Sequence, residues 1–466
     1  MTATMITTSV PAPRISHDPS VVQRFRLPNG LRVWIEPRPE SESVTALLVV
    51  RVGSRHETRV NNGISHFVEH MVFDGTEKWP TEEAVADAIT HRGGHWNGWT
   101  DEETTTYFVQ LAQHDFDLAL DWLSQVVFHP LFPADKVDKE RDIIFEEKMG
   151  RYGWLINALD ALGLGYDLDR DVRRALFPGS TLGLRIIGED ASLDKITRQS
   201  LLDHYHAHYL PTNSALIIVG NVDVEQARER AITYFGQLPV EADKPIGPAA
   251  PPLPQHGPHH VTVRGPLPTD QSFVAIGMRT VSESHPDRWP LEVLAEVMEE
   301  ALLKDIRYRR GLVYGLSAFN NQFADAGYFG IFTQAESQKR AEVQHTIEQY
   351  FERVRRGEIT AEQVTNAQAA LKGSWALDVE DGTRRASWLA QWAFESGDQP
   401  IPDYAAMIDA VTVSDLQRMV ETYYTPERRF TGLHHPIVTV PRGARILGAI
   451  AGMGALLWLG RKLLRR

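Results

Sequence analysis

Nine prolines fall between Gln237 and Pro268, at positions 239, 245, 248, 251, 252, 254, 258, 266 and 268, and the stretch has no sustained helical period. A chain of 466 residues is long for one core, so this break reads as a linker between domains. The same kinds of element recur on either side of it. An apolar strand (46–52 before the break, 273–278 after it) leads into long helical patterns and then further strands such as 215–220. This order predicts a duplicated α+β fold, each domain an antiparallel sheet with helices packed on one side. The expected units are a disordered leader over 1–20, a first domain over 21–236, a linker over 237–268, a second domain over 269–436 and a tail over 437–466.

The chemistry concentrates in residues 66–70, His-Phe-Val-Glu-His. Two imidazoles four apart on a helix point the same way and can grip one metal ion, with Glu69 beside them as a carboxylate base. Asn61-Asn62-Gly63 offers capping oxygens before a helical run from Ile64 to Phe73, and Asp74-Gly75 is a stop. Ile64, Phe67, Val68 and Met71 make an apolar stripe, leaving His66, Glu69, His70 and Phe73 on another flank. Taken alone, the pattern also fits ordinary polar groups on a solvated helix face. No counterpart motif lies near residues 291–303, where a duplicated helix is expected, so only the first half can hold the metal.

A catalytic zinc keeps three protein ligands and an open position for water. The chain has no cysteine, so the third ligand is a histidine or a carboxylate. The segment 134–152 reads as a charged helix beginning after Pro133, with Val137, Ile143, Ile144 and Met149 facing inward and acids at Glu140, Glu146 and Glu147. Glu140 and Glu147 are two turns apart on one face. Either can reach the metal while the other takes the outer proton of a ligating imidazole, and the residues alone do not choose.

With these features in place, the chain resembles the pitrilysin or insulinase-type zinc peptidases, which include the mitochondrial processing peptidases, from about Phe25 to about Thr431. The marks stand in order: Val52-Gly53-Ser54-Arg55, Gly63 through His70, Asn97-Gly98-Trp99-Thr100, Thr106-Tyr107, Tyr209-Leu210-Pro211 and Val219-Gly220-Asn221-Val222. The resemblance implies one zinc per chain on His66, His70 and Glu147, which lies 77 residues after the second motif histidine, with Glu140 supporting a ligand and Glu69 as general base. It implies that Asn97 bonds the substrate backbone, beside a Gly98 that stands where the family usually has alanine and loosens the strand. It also implies that Arg307 and Tyr314, within Arg-x-x-x-Gly-Leu-x-Tyr, hold the substrate from across a chamber.

Such a chain is expected to be half of a clamshell, closed by a second copy or by a related inactive subunit. The implied function is a zinc-dependent endopeptidase acting on oligopeptides, targeting peptides or unfolded segments. A non-catalytic scaffold, like the core subunits of respiratory complexes that resemble these peptidases, is the rival reading. Those relatives lose ligands or the base; here all are present.

The formal net charge is −13, yet the last 30 residues hold six basic and no acidic side chains, leaving 42 basic against 61 acidic ones elsewhere. An acidic body disfavours nucleic acid and favours basic peptides. In the tail, residues 446–460 form an apolar run flanked by Arg442 and Arg445 and by Arg461, Lys462, Arg465 and Arg466. Fifteen residues fall short of the roughly 20 that span a bilayer, but snorkelling basic stems extend them. The tail is therefore expected to engage a membrane from the cytoplasmic side, and residues 1–20 contain no apolar core for a secretory signal. The cluster 204–208, rich in histidine, reads as a helix end, and Trp375, Trp388 and Trp392 as core or docking residues. No phosphate loop or nucleotide fingerprint stands out.

Overall fold

The continuous apolar runs at the centre of each half form the middle of two separate sheets. The computed structural model describes residues 21–153, 158, 168–240, 259–265, 269–394 and 400–436. The first sheet contains β1 (Gln23–Arg26), β2 (Arg32–Pro37), β3 (Ser43–Val50), β4 (His95–Thr100), β5 (Thr105–Ala112) and β6 (Ser214–Gly220), in the order β1-β2-β6-β3-β5-β4. The second contains β7 (His259–Gly265), β8 (Gln271–Thr280), β9 (Val313–Gln322), β10 (Gly327–Glu336) and β11 (Arg429–Pro436), in the order β7-β11-β8-β10-β9. Without β1, the two topologies are the same. The duplication expected from the sequence is thus present in the strand connections.

Two details differ from that expectation. Each sheet contains one parallel pair, β2 with β6 and β7 with β11, while the other pairs are antiparallel. The last strand of each half returns after a long helical crossover, and such a crossover can lay it parallel to the first. Secondly, β7 lies inside the proline-rich stretch read as linker. Its seven residues carry no proline, and they pair with β11 in register from His259 to Gly265. Residues 241–258 and 266–268, the leader and the tail lie outside the described residues. Among the described residues no helix is long and apolar enough to cross a membrane.

On each sheet the helices of its own half pack on one side, and a helix from the other half covers the opposite face. On one face of the first sheet lie Ile64–Met71, Phe116–Phe128, Arg198–His208 and Val224–Phe235, which supply Phe67, Trp122, Leu201 and Phe235 to a common core. The opposite face is covered by Gly382–Trp392, a helix from the second half, whose Ala386 and Leu389 share a core with Trp34, Leu47 and Ile217. In return Leu168–Leu176, a helix of the first half, lies across β7, β11 and β8 and packs Leu168 and Val172 with Val263, Ala275 and Phe430. Each half lends one helix to the other. Coverage on both faces explains why β3 and β6 read as unbroken apolar runs rather than as alternating ones.

Charged groups reinforce this exchange. Arg385 on the lent helix is 1 % exposed and donates from Nε to Glu36 Oε2 on β2 at 2.7 Å. Arg55 is fully buried and pairs with Glu103 and, at 2.7 Å, with Asp325 in the turn between β9 and β10.

Candidate metal centre

Ile64, Phe67, Val68 and Met71 are buried as the periodicity predicts, and they fix the motif helix, Ile64–Met71, against the first sheet. The helix stops two residues short of the expected Phe73. Its N-terminus is not capped by Asn61 or Asn62. Gly63 takes the left-handed N-cap position (φ 95°), and the carboxylate of Glu57 accepts from the backbone N–H of Gly63 and of Ser65 at 2.8 and 2.9 Å. Asn62 donates its side-chain amide to the same carboxylate at 2.8 Å, and Asn61 accepts from Thr58. Glu57 thus supplies acceptor oxygens for N–H groups that a helix start leaves unpaired. Sequence reasoning missed it because it lies outside the short window in which capping residues are sought.

The charged helix begins at Val137, later than the expected Ala134, and runs to Tyr152. Ile144 is buried, Ile143 half-buried and Met149 exposed, so the last of these does not face inward as expected. Glu147 brings Oε2 to 3.6 Å from Nε2 of His66 and 3.7 Å from Nε2 of His70. Two donors bound at about 2.0–2.1 Å in tetrahedral geometry stand roughly 3.3–3.4 Å apart, so these separations suit one small cation. Glu140 is 6 % exposed, and its Oε2 lies 3.2 Å from Nδ1 of His70 on the far side of that ring. The alternative left open by the residues thus resolves in geometry: Glu147 converges with the two imidazoles and Glu140 supports one of them.

Electrostatics favours a cation here. Burial opposes charge on His70, but the hydrogen bond to Glu140 and the nearby carboxylates of Glu69, Glu147 and Glu140 outweigh it and raise its pKa above the ordinary histidine value. Three carboxylates around two rings are an excess of negative charge that a divalent ion offsets. The donor set, two imidazoles and one carboxylate, is one that zinc accepts with a position left open. A neighbouring acidic cluster, Asp74, Glu82 and Glu140, differs: Lys136 reaches Glu82 at 2.9 Å and Asp74 at 3.4 Å, and Lys139 reaches Glu82 at 2.8 Å. Ammonium groups already balance it.

Glu69 is 8 % exposed and accepts from Thr100 Oγ1 at 2.8 Å. Burial pushes its carboxyl above the usual range, against the Thr100 bond and the His70 charge, with Glu147 adding to the rise. Thr100 is the last residue of β4. Gly98 on the same strand lies close beneath: a Cβ there would stand 3.2 Å from Cγ of Glu69 and equally near Phe73 and Tyr107. Asn97 is exposed on this edge strand, with Oδ1 accepting from the N–H of Gly98 at 2.9 Å. These groups share a cleft of about 700 Å³ with His66, His70, Glu140 and Glu147.

Arg307 and Tyr314 are not among the groups lining that cleft. They lie together at the edge of the second sheet. Arg307 sits in a π-helical turn (Leu303–Arg309) after the counterpart helix Arg288–Leu302, and Tyr314 is the second residue of β9. The structure therefore gathers five of the eight expected site residues at the metal cleft, sets Asn97 on its rim, and keeps the Arg–Tyr pair elsewhere.

Comparison with known proteins finds two family matches along the chain. Residues 32–151 match the family described as Insulinase (Peptidase family M16), and residues 195–371 match the description Peptidase M16 inactive domain. A protein of Mycobacterium bovis named as a zinc protease is 30% identical over 401 residues, covering 84% of this chain and 89% of its own length. The beta subunit of the mitochondrial-processing peptidase of Saccharomyces cerevisiae is 26% identical over 415 residues, covering 84% and 86%. Among solved structures, a protease from Helicobacter pylori superposes with a TM-score of 0.80 at 21% identity, covering 89% of this chain and 99% of its own.

Proposed function

As this chain belongs to the insulinase (M16) family of peptidases, we propose that it is a zinc-dependent endopeptidase, with one ion held by His66, His70 and Glu147 and with Glu69 as the general base. The observation that carries this reading is the convergence of Nε2 of both imidazoles with Oε2 of Glu147, beside the buried carboxyl of Glu69 held by Thr100. When bound, zinc supplies Lewis-acid polarisation of the scissile carbonyl and acidifies a water molecule towards neutrality. Glu69 is the residue that would accept a proton from the attacking water and pass it to the leaving amine as the peptide bond breaks. Burial and the nearby Glu147 make its carboxyl a stronger base than an exposed one, while Thr100 fixes its orientation. Glu140 holds the His70 ring by Nδ1, so that Nε2 faces the ion.

Asn97 and the free edge of β4 receive an extended peptide. Arg307 and Tyr314 serve the site of a second chain, a copy or a related subunit, that closes the chamber. Their position away from the metal cleft of their own chain supports this reading. Peptides and unfolded segments are the substrates such a chamber admits, basic ones preferentially because the body is acidic. The apolar and basic tail is assigned to membrane association on the cytoplasmic side, on its sequence alone.

Metal analysis combined with a quenched peptide substrate tests the central reading. Native protein is expected to contain one zinc per chain and to cleave the peptide, and Glu69→Gln to keep the zinc without turnover. Full zinc with no turnover in the native protein would instead support a scaffold.

A further inference from the structure

The guanidinium carbon of Arg307 stands 5.4 Å from the ring centroid of Tyr314 and 5.2 Å from that of Tyr308, its neighbour in sequence. Consecutive side chains diverge on a regular helix. Here the arginine folds back over the next residue's ring. The acids nearby are occupied: Asp305 and Glu342 pair with Arg310, and Glu300 with Lys304. Among the described residues no carboxylate pairs with Arg307. Tyr308 and Tyr314 are 68 % and 90 % exposed, so two large exposed rings flank a half-buried arginine. Tyrosine and arginine are the side chains that most often dominate binding surfaces, and π-helical turns such as this one recur at functional sites.

We propose that Tyr308 is a positioning residue for the substrate, acting through Arg307. Its ring, together with that of Tyr314, holds the guanidinium by cation–π attraction and leaves the planar N–H edge directed at the carbonyl oxygens of an extended peptide. An arginine without such support samples many rotamers and must be ordered each time substrate arrives. Holding it beforehand strengthens binding of ground state and transition state alike. Loss of Tyr308 therefore raises KM and leaves kcat nearly unchanged.

This inference rests on the reading of Arg307 as a substrate contact, and the test separates the two. Zinc-loaded full-length protein is assayed with a quenched peptide as Tyr308→Ala, Tyr308→Phe and Arg307→Ala, and each variant's peptide affinity is measured by fluorescence anisotropy in the Glu69→Gln background. Tyr308→Ala is expected to raise KM and Kd by about three- to tenfold, with kcat within about twofold. Tyr308→Phe, which keeps the ring, is expected to restore both. If Arg307→Ala weakens binding but Tyr308→Ala does not, the inference fails while the reading of Arg307 stands. If Tyr308→Phe is as weak as Tyr308→Ala, the hydroxyl touches substrate directly and the positioning role is wrong. If Arg307→Ala changes nothing, the reading of Arg307 falls and this inference with it.

Discussion

Glu140 meets His70 at Nδ1, at 3.2 Å, from the same helix that brings Glu147 to the Nε2 side of the ring. Seven residues and two turns separate the acids, so one rigid element sets both the carboxylate that meets the two Nε2 atoms and the orientation of the His70 ring. Removing Glu147 and removing Glu140 should then have different signatures. Glu147→Gln is expected to abolish stoichiometric zinc binding. Glu140→Gln should retain a full equivalent of zinc but with affinity weakened by about 10- to 100-fold, as is usual when a ligand's support is lost. Chelator competition measures both, and equal losses would contradict this division of roles.

Thr100 donates to Glu69 at 2.8 Å and so holds the carboxyl pKa down, against the rise caused by burial. Thr100→Val removes that restraint. The acid limb of the kcat/KM profile should move to higher pH, because a carboxyl with a higher pKa stays protonated over a wider range. Zinc content should not change. A pH–rate titration with metal analysis decides the matter, and a limb that stays in place or moves towards acid counts against Glu69 as the base.

Arg385 joins the halves by reaching Glu36 across the back of the first sheet. Arg385→Met leaves Glu36 paired with Arg38 at 2.7 Å, so the cost is expected to fall below the ~3–5 kcal/mol of a buried pair broken outright. Urea unfolding should show a loss of about 1–3 kcal/mol. A single variant as stable as the native protein would mean that the lent helix is held by apolar packing alone.

Behind the motif helix, His56, His204 and His208 form a chain of rings with centroids 5.8 and 4.7 Å apart, and His204 Nε2 bonds Ser65 Oγ at 3.1 Å. Burial first, then the charges of neighbouring rings and arginines, pushes His204 down to about 3 and His56 down to about 4. Both lie below the unfolded value of 6.5, so the unfolded chain binds more protons and stability falls as pH drops through 6.5. Between pH 6.5 and 5 each ring is expected to cost about 2 kcal/mol. His204→Gln keeps a partner for Ser65 and should flatten roughly half of the fall in thermal midpoint. An unaltered slope would show that other groups carry it.

The motif helix and the charged helix were legible because apolar spacing is a local signal, and the separation of Glu147 from the motif matched the spacing of the family the chain resembles. Glu57 was not legible: it reaches the helix start from outside the usual capping window. β7 was obscured because proline density around it outweighed seven proline-free residues. Thr100 carried no signal of its own, since a threonine at a strand end has many ordinary uses.

From residue types and spacing alone came the expectation of a duplicated fold, of metal chemistry confined to the first half, and of a donor set of two imidazoles and one of two acids. These follow from periodicity, which acts over a few residues, and from the chemistry of each side chain. The placement of Glu140 and Glu147 on opposite sides of the His70 ring, the exchange of Leu168–Leu176 and Gly382–Trp392 between the sheets, and the placement of Arg307 and Tyr314 away from the metal cleft were decided only by the folded chain. Each depends on contacts between segments far apart in sequence, whose free energy is set by which surfaces meet, and no local pattern encodes that meeting.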